Sequence, residues 1–167
     1  MQSTEPNSME TESVLIRRLR PSDLKPVIAI DAKAMGRRRA EYFKIKLEMA
    51  QNETGVEVSL AAELDGMFVG FLIARVYCGD FGVADSTATL EVLGVHPGFR
   101  GRGVGHALVL QLTTNLLGLG VGQVSTEVNW NDPSMIGFIQ REGFAPAPRF
   151  CVDLDCKAFR QREEARD

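Results

Sequence analysis

Residues 91–105 read EVLGVHPGFRGRGVG, and the rest of the chain is best read outward from them. An apolar run, Val92 to Val95, closes at His96-Pro97, where the proline keeps His96 extended. Glycines follow at 101, 103 and 105. From Gly103 to Leu117 the residues Val104, Leu108, Leu112 and Leu116 recur every four positions, the spacing of one helix face. A buried strand therefore runs into a glycine-rich turn that opens directly into a helix. The first N–H groups of a helix have no partners, and its macrodipole favours an anion there. Glycines let a ligand approach the backbone closely, and Arg100 and Arg102 add positive charge at the same spot. The stretch reads as a pyrophosphate cradle.

Two common phosphate motifs are excluded. A P-loop needs GxxxxGK[ST], and no such lysine follows. The dinucleotide fingerprint GxGxxG fails because its last position falls on His106 counted from Gly101, and on Leu108 counted from Gly103. That fingerprint also belongs to a βαβ unit, whereas three strands precede this turn without intervening helices.

Outward from the turn, Thr87–Val95 reads as the strand before it, and Met67–Tyr77 as the strand before that. Asp65-Gly66 is a two-residue hairpin signal joining Met67–Tyr77 to a strand at Val56–Leu64. Ser13–Leu19 alternates apolar and charged residues as a half-buried strand does. Pro21-Ser22-Asp23 opens a helix with Leu24, Val27, Ile28 and Ile30, and Arg37–Gln51 reads as a second helix. After the turn, Gln123–Trp130 is a strand, and Asp132-Pro133 opens a helix to Glu142. Gly143-Phe144 turns into a last strand around Arg149–Leu154. Tyr42, Phe43 and Trp130 read most simply as core residues, with a place flanking a ligand tunnel as the alternative for Trp130. The order β-α-α-β-β-β-α-β-α-β fits one domain over 11–156, after a disordered tail at 1–10 and before a charged tail at 157–167. The fold class is α/β (α+β), with helices flanking a mixed sheet.

The chain has 167 residues, 44% apolar and 25% charged, with a net charge of −3. Nucleic-acid binding is not expected of it, because it lacks the cationic excess that displaces counterions from phosphates. Cys78, Cys151 and Cys156 form no CxxC pair, so neither a disulfide framework nor a zinc site is expected. Reduced thiols, a polar acidic N-terminus and the lack of a long apolar run point to a cytoplasmic protein without a membrane span.

The pattern Arg100-x-x-Gly103-x-Gly105, after a strand ending Val95-x-Pro97, resembles the Q/R-x-x-G-x-G/A motif of the GNAT N-acetyltransferase superfamily. The similarity runs from about residue 13 to 155. It includes the strand-helix-helix-three-strand opening and a later strand-helix-GF segment, here Val124–Phe144. The resemblance implies a mostly antiparallel central sheet of 6–7 strands flanked by about four helices, acetyl-CoA as co-substrate, and no metal. It implies that the backbone of Leu93, Gly94 and Val95 pairs with the pantetheine arm, where the fourth and fifth strands splay apart. The amides of Arg100, Gly101, Arg102, Gly103, Val104 and Gly105 would hold the pyrophosphate. Asp132 stands where the family usually has Asn, and Ile139 where it usually has the Tyr thought to protonate the departing thiolate.

Ile139 cannot donate a proton. A thiol of pKa about 8.5 leaves as thiolate near neutrality at a cost of only about 1–2 kcal/mol, so the reaction survives without a dedicated acid, and the sequence leaves open whether Tyr77 or a water substitutes. Deprotonating a lysine amine costs about 4–5 kcal/mol at pH 7, and proximity supplies roughly 7–11 kcal/mol. Glu91, on the strand leading to the cradle, is the first choice of base, with Asp80 and Asp85 behind it. The resemblance thus implies acetyl transfer to a primary amine by direct attack in a ternary complex. A protein lysine or N-terminus is the first choice of acceptor and a small amine the second. The rival reading is a non-catalytic acyl-CoA-binding module, and the chain is expected as monomer or homodimer, through its last strand in the latter case. Gly36-Arg-Arg-Arg39 reads either as a solvated helix start or as a guide for an acidic substrate or the 3′-phosphate of CoA. Gly103→Asp would set a carboxylate in the cradle and add a side chain the turn cannot fit.

Overall fold

The computed structural model describes residues 13–52, 58–78 and 85–166. The tail at 1–10 and Asp80 lie outside them. The described residues form two compact units, divided between Asp132 and Pro133.

The first unit is a five-stranded sheet in the order β1-β2-β3-β4-β5. Its strands are β1 (Leu15–Arg18), β2 (Leu60–Leu64), β3 (Met67–Cys78), β4 (Ser86–Val95) and β5 (Val124–Thr126). The first four are antiparallel neighbours. β5 returns parallel to β4 after α3 (Val104–Gly118), the long crossover that parallel pairing requires. Asp65 (φ 50°) and Gly66 (φ 76°) are both left-handed, the conformation a tight hairpin between β2 and β3 needs.

Alternate side chains of β3 point to opposite faces of the sheet. On one face, Phe71 and Ile73 pack with Val27, Ile28 and Ile30 of α1 (Leu24–Met35) and with Phe43 and Leu47 of α2 (Ala40–Asn52). The rings of Phe43 and Phe71 meet edge to face at 5.8 Å. On the other face lies α3, whose buried stripe is Val104, Leu108, Val109, Leu112 and Leu116. A Cβ at Gly70 would stand 2.9 Å from Val104 Cγ1, so the missing side chain sets how closely α3 approaches β3.

Below α1, Arg17 of β1 forks onto both oxygens of Asp23 (2.7 and 2.9 Å) and reaches Glu63 of β2 at 2.7 Å. Asp23 also accepts the Arg20 N–H at 2.7 Å. Burial pushes the Asp23 carboxyl up, but the Arg17 hydrogen bond and the Arg20 N–H outweigh it and hold the group below its ordinary range.

The second unit holds α4 (Pro133–Arg141) and α5 (Cys156–Glu164). Asp155 caps α5 by accepting the N–H groups of Lys157 and Ala158. The strand expected around Arg149–Leu154 is not formed. Phe150, Val152 and Leu154 alternate as strand residues do, yet all three are exposed. Alternation marks a chain fit for a sheet, but a strand needs a neighbour for its backbone groups, and no described residue pairs with it. Among the described residues the sheet thus has five strands rather than six or seven, and there are five α-helices rather than about four. Trp130, expected in the core, is 89% exposed because β5 ends at Thr126 and leaves it in the following turn. Tyr42 is exposed while its neighbour Phe43 is fully buried, as adjacent helix positions on different faces must be. No helix among the described residues is long and apolar enough to cross a membrane.

Candidate functional site

The site is organised by β4. Its pairing with β3 slips once: Ala74 faces Leu90 and Ile73 faces Val92, leaving Glu91 without an opposite residue. Such a bulge bends a strand and re-aims its side chain. On the other edge, β4 pairs with β5 only at Ala88, Thr89 and Leu90. Beyond Leu90 no described strand continues that pairing, so the backbone of residues 91–95 forms an open row on that edge. Leu93 and Val95 turn their N–H and C=O groups to it, while those of Gly94, out of phase by one, face β3. Gly94 cannot carry a side chain, because a Cβ there would stand 2.5 Å from the Phe71 ring.

The glycine turn follows within a few residues. His96 N–H donates to Val69 O at 2.8 Å, and His96 Nδ1 accepts from the Gly98 N–H at 3.1 Å, capping the 3-10 turn Pro97–Phe99. His96 is therefore a fastener for the turn. Gly101 (φ 76°) and Gly103 (φ 78°) are left-handed on either side of Arg102. Left-handed residues spaced this way turn successive N–H groups toward one concavity, an anion-binding arrangement. Gly103 is the N-cap of α3 and offers no capping side chain, and no acidic residue lies in the first turn. The N–H groups of Val104 and Gly105 thus have no carbonyl one turn back. Arg100 and Arg102 are exposed at the turn, with the Arg102 guanidinium 5.3 Å from the Phe99 ring centre. The donor set fits a diphosphate. A Cβ at Gly103 meets nothing within 4 Å, so a side chain there is strained by backbone conformation and not, as expected from sequence, by lack of room.

Glu91 sits in a charged cluster on the α1–α2 face. Lys46 Nζ of α2 lies 2.8 Å from its Oε2, and Arg75 Nη1 of β3 lies 3.6 Å from its Oε1. Tyr77 donates to the same Oε1 at 3.4 Å. The Glu91 side chain is only 13% exposed. Burial, and then the Glu91 charge, raise the Tyr77 phenol above its ordinary value, so it keeps its proton at neutral pH. Two of the residues singled out in the sequence, Glu91 and Tyr77, are thus in contact. Lys46 and Arg75 escaped sequence reading. Arg75 had a signal, since it alternates with Ile73 and Tyr77 on the inward face of β3; Lys46 had none.

Arg39 is bound to the buried Asp31 of α1, with Nε 2.9 Å from Oδ2, and stacks on the Tyr42 and Phe43 rings at 4.8 and 5.3 Å. It fastens α2 to α1, while Arg37 and Arg38 remain exposed. Asp85 is exposed at the start of β4. Asp132 closes the first unit, its N–H donating to Asn129 O at 2.9 Å, and Ile139 lies on α4.

Residues 26–144 match the model of the acetyltransferase (GNAT) family. An acetyltransferase of Pectobacterium atrosepticum is 30% identical over 107 residues, covering 64% of this chain and 70% of its own length. Among solved structures, aminoglycoside N-acetyltransferase AAC(6')-Iy in complex with CoA superposes with a TM-score of 0.73 at 17% identity, covering 92% of this chain and 99% of that one. A ribosomal-protein-alanine N-acetyltransferase from Brucella melitensis biovar Abortus gives 0.66 at 21% identity, over 85% and 98%. By fold, glycine turn and relatives together, the chain belongs to the GNAT acetyltransferase family and uses acetyl-CoA as its co-substrate.

Proposed function

We propose that the protein moves the acetyl group of acetyl-CoA to a primary amine by direct attack in a ternary complex, with a protein lysine or N-terminus as first acceptor and a small amine as second. One observation carries this reading. The Glu91 bulge falls where β4–β5 pairing ends, and the left-handed glycine turn follows on the same strand. A carboxylate, an open backbone edge and an anion cradle therefore stand in sequence along one element.

The amides of Arg100, Gly101, Arg102, Gly103, Val104 and Gly105 hold the diphosphate, with the two arginines supplying charge. The open edge holds the pantetheine arm through the backbone of Leu93 and Val95, Gly94 keeps the strand flat against β3 between them, and Asp132 completes the cofactor-binding set. The co-substrate supplies an activated acyl group on a good leaving thiol. Glu91 takes the proton the acceptor amine must lose, directly or through water. Tyr77 holds Glu91 by hydrogen bond and, still protonated, serves as proton donor in place of the phenol that Ile139 lacks. Both acceptor classes occur among the structural neighbours: one is an aminoglycoside acetyltransferase, another acts by its name on a ribosomal protein.

The test is steady-state release of free CoA with Glu91→Gln. A fall in kcat of roughly 10²–10⁴-fold is expected of a lost general base, with acetyl-CoA affinity retained. An unchanged rate and pH profile would remove Glu91 from the mechanism.

A further inference from the structure

Glu91, the residue read above as the base, already holds an amine. Lys46 Nζ lies 2.8 Å from Glu91 Oε2, within proton-transfer distance, and sits over the Tyr42 ring at 5.7 Å from its centre. Its side chain is 20% exposed. Any external acceptor must bring its own amine to this same carboxylate. Of the two cations on Glu91, only Lys46 is an amine that becomes nucleophilic on losing a proton, because the Arg75 guanidinium stays charged. Two positions away on α2, Lys44 is exposed, and residues two apart do not share a helix face.

We propose that Lys46 is a site of self-acetylation, acting as an internal acceptor at Glu91. The inference rests on the reading of Glu91 and the glycine turn given above. Lys46 Nζ gives a proton to the Glu91 carboxylate and forms a bond to the acetyl carbonyl carbon. The carbon–sulfur bond breaks, the sulfur leaves with its electron pair and takes up the second proton lost by the nitrogen to give free CoA, and Glu91 returns its proton to water. The product is a neutral amide, so the Lys46–Glu91 ion pair is lost and Oε2 is released to meet an external amine. Lys46 thus blocks the base while charged and clears it once acetylated.

The experiment incubates the full-length protein with isotopically labelled acetyl-CoA and no added amine, then reads each lysine peptide by mass spectrometry. Acetyl carried over from expression is read in the same spectra. Binding of acetyl-CoA and transfer to an added lysine peptide are measured on the same preparation. Acetyl is expected on Lys46 ahead of Lys25, Lys33, Lys44 and Lys157, at a rate per molecule that does not depend on protein concentration. Glu91→Gln is expected to slow it by roughly a hundredfold while slow background labelling of Lys44 stays unchanged, which also reports that α2 is intact.

Random chemical acetylation would instead favour the exposed Lys44, and that outcome overturns the proposal. So does a rate that rises with protein concentration, which signals transfer between molecules. An unmodified Lys46 in protein that binds acetyl-CoA and acetylates the peptide overturns the inference and leaves the proposed function standing. Failure to bind acetyl-CoA at all defeats both.

Discussion

Glu91 and Asp23 are both carboxylates held by arginine, and they illustrate two uses of the same pair. Asp23 is a structural anchor tying β1, the first helical turn and, through Arg17, β2 together. Its folded pKa lies below the ordinary value, so the stability it contributes is complete above the ordinary carboxylate range and is lost as pH falls through the folded value. Asp23→Asn is expected to destabilise the protein by about 1.5–3 kcal/mol, the range for hydrogen bonds to charged groups. Thermal denaturation at neutral pH measures this, and the gap between variant and wild type should narrow in acid. Glu91 instead faces one amine, one guanidinium and one phenol at a bulge, an arrangement that holds a carboxylate without locking it into the sheet. Tyr77→Phe should therefore lower kcat while leaving acetyl-CoA affinity unchanged, checked by turnover and calorimetry together. Equal losses in both would place Tyr77 in binding.

The strand-turn-helix around β4 was legible from sequence because every signal in it is local. The four-residue apolar period of α3, the proline after His96 and the glycines at 101 and 103 each fix conformation through their immediate neighbours. The Asp65-Gly66 hairpin was legible for the same reason. The bulge was not, because it is a property of register between two strands and leaves no mark on residues 90–92 alone. Nor was the approach of Lys46 to Glu91, a contact across 45 positions made by packing α2 on the sheet. The last expected strand failed in the opposite direction: residues 149–154 carry the pattern and have no partner among the described residues. Gly94 tests the element directly. Gly94→Ala puts a methyl against the Phe71 ring, and overpacking of this kind costs typically about 1–3 kcal/mol. The expected result is a lower denaturation midpoint; an unchanged midpoint would mean that β3 and β4 shift apart at no cost.

At the scale of the molecule, a net charge of −3 suits a cationic acceptor better than a polyanion. The apparent KM for a lysine-bearing peptide should rise with ionic strength, since salt screens such attraction over about 10 Å at 0.1 M. A KM independent of salt would favour a small amine recognised at short range. The central claim remains that the left-handed glycine turn before α3 holds the diphosphate of acetyl-CoA. Its most direct test is calorimetric titration of wild type and Gly103→Asp with acetyl-CoA. Residue 103 is exposed with open space around its Cβ, and Asp tolerates left-handed backbone better than most residues, so the variant should fold. The account predicts that wild type binds and that the folded variant does not. Undiminished binding by the variant would contradict it.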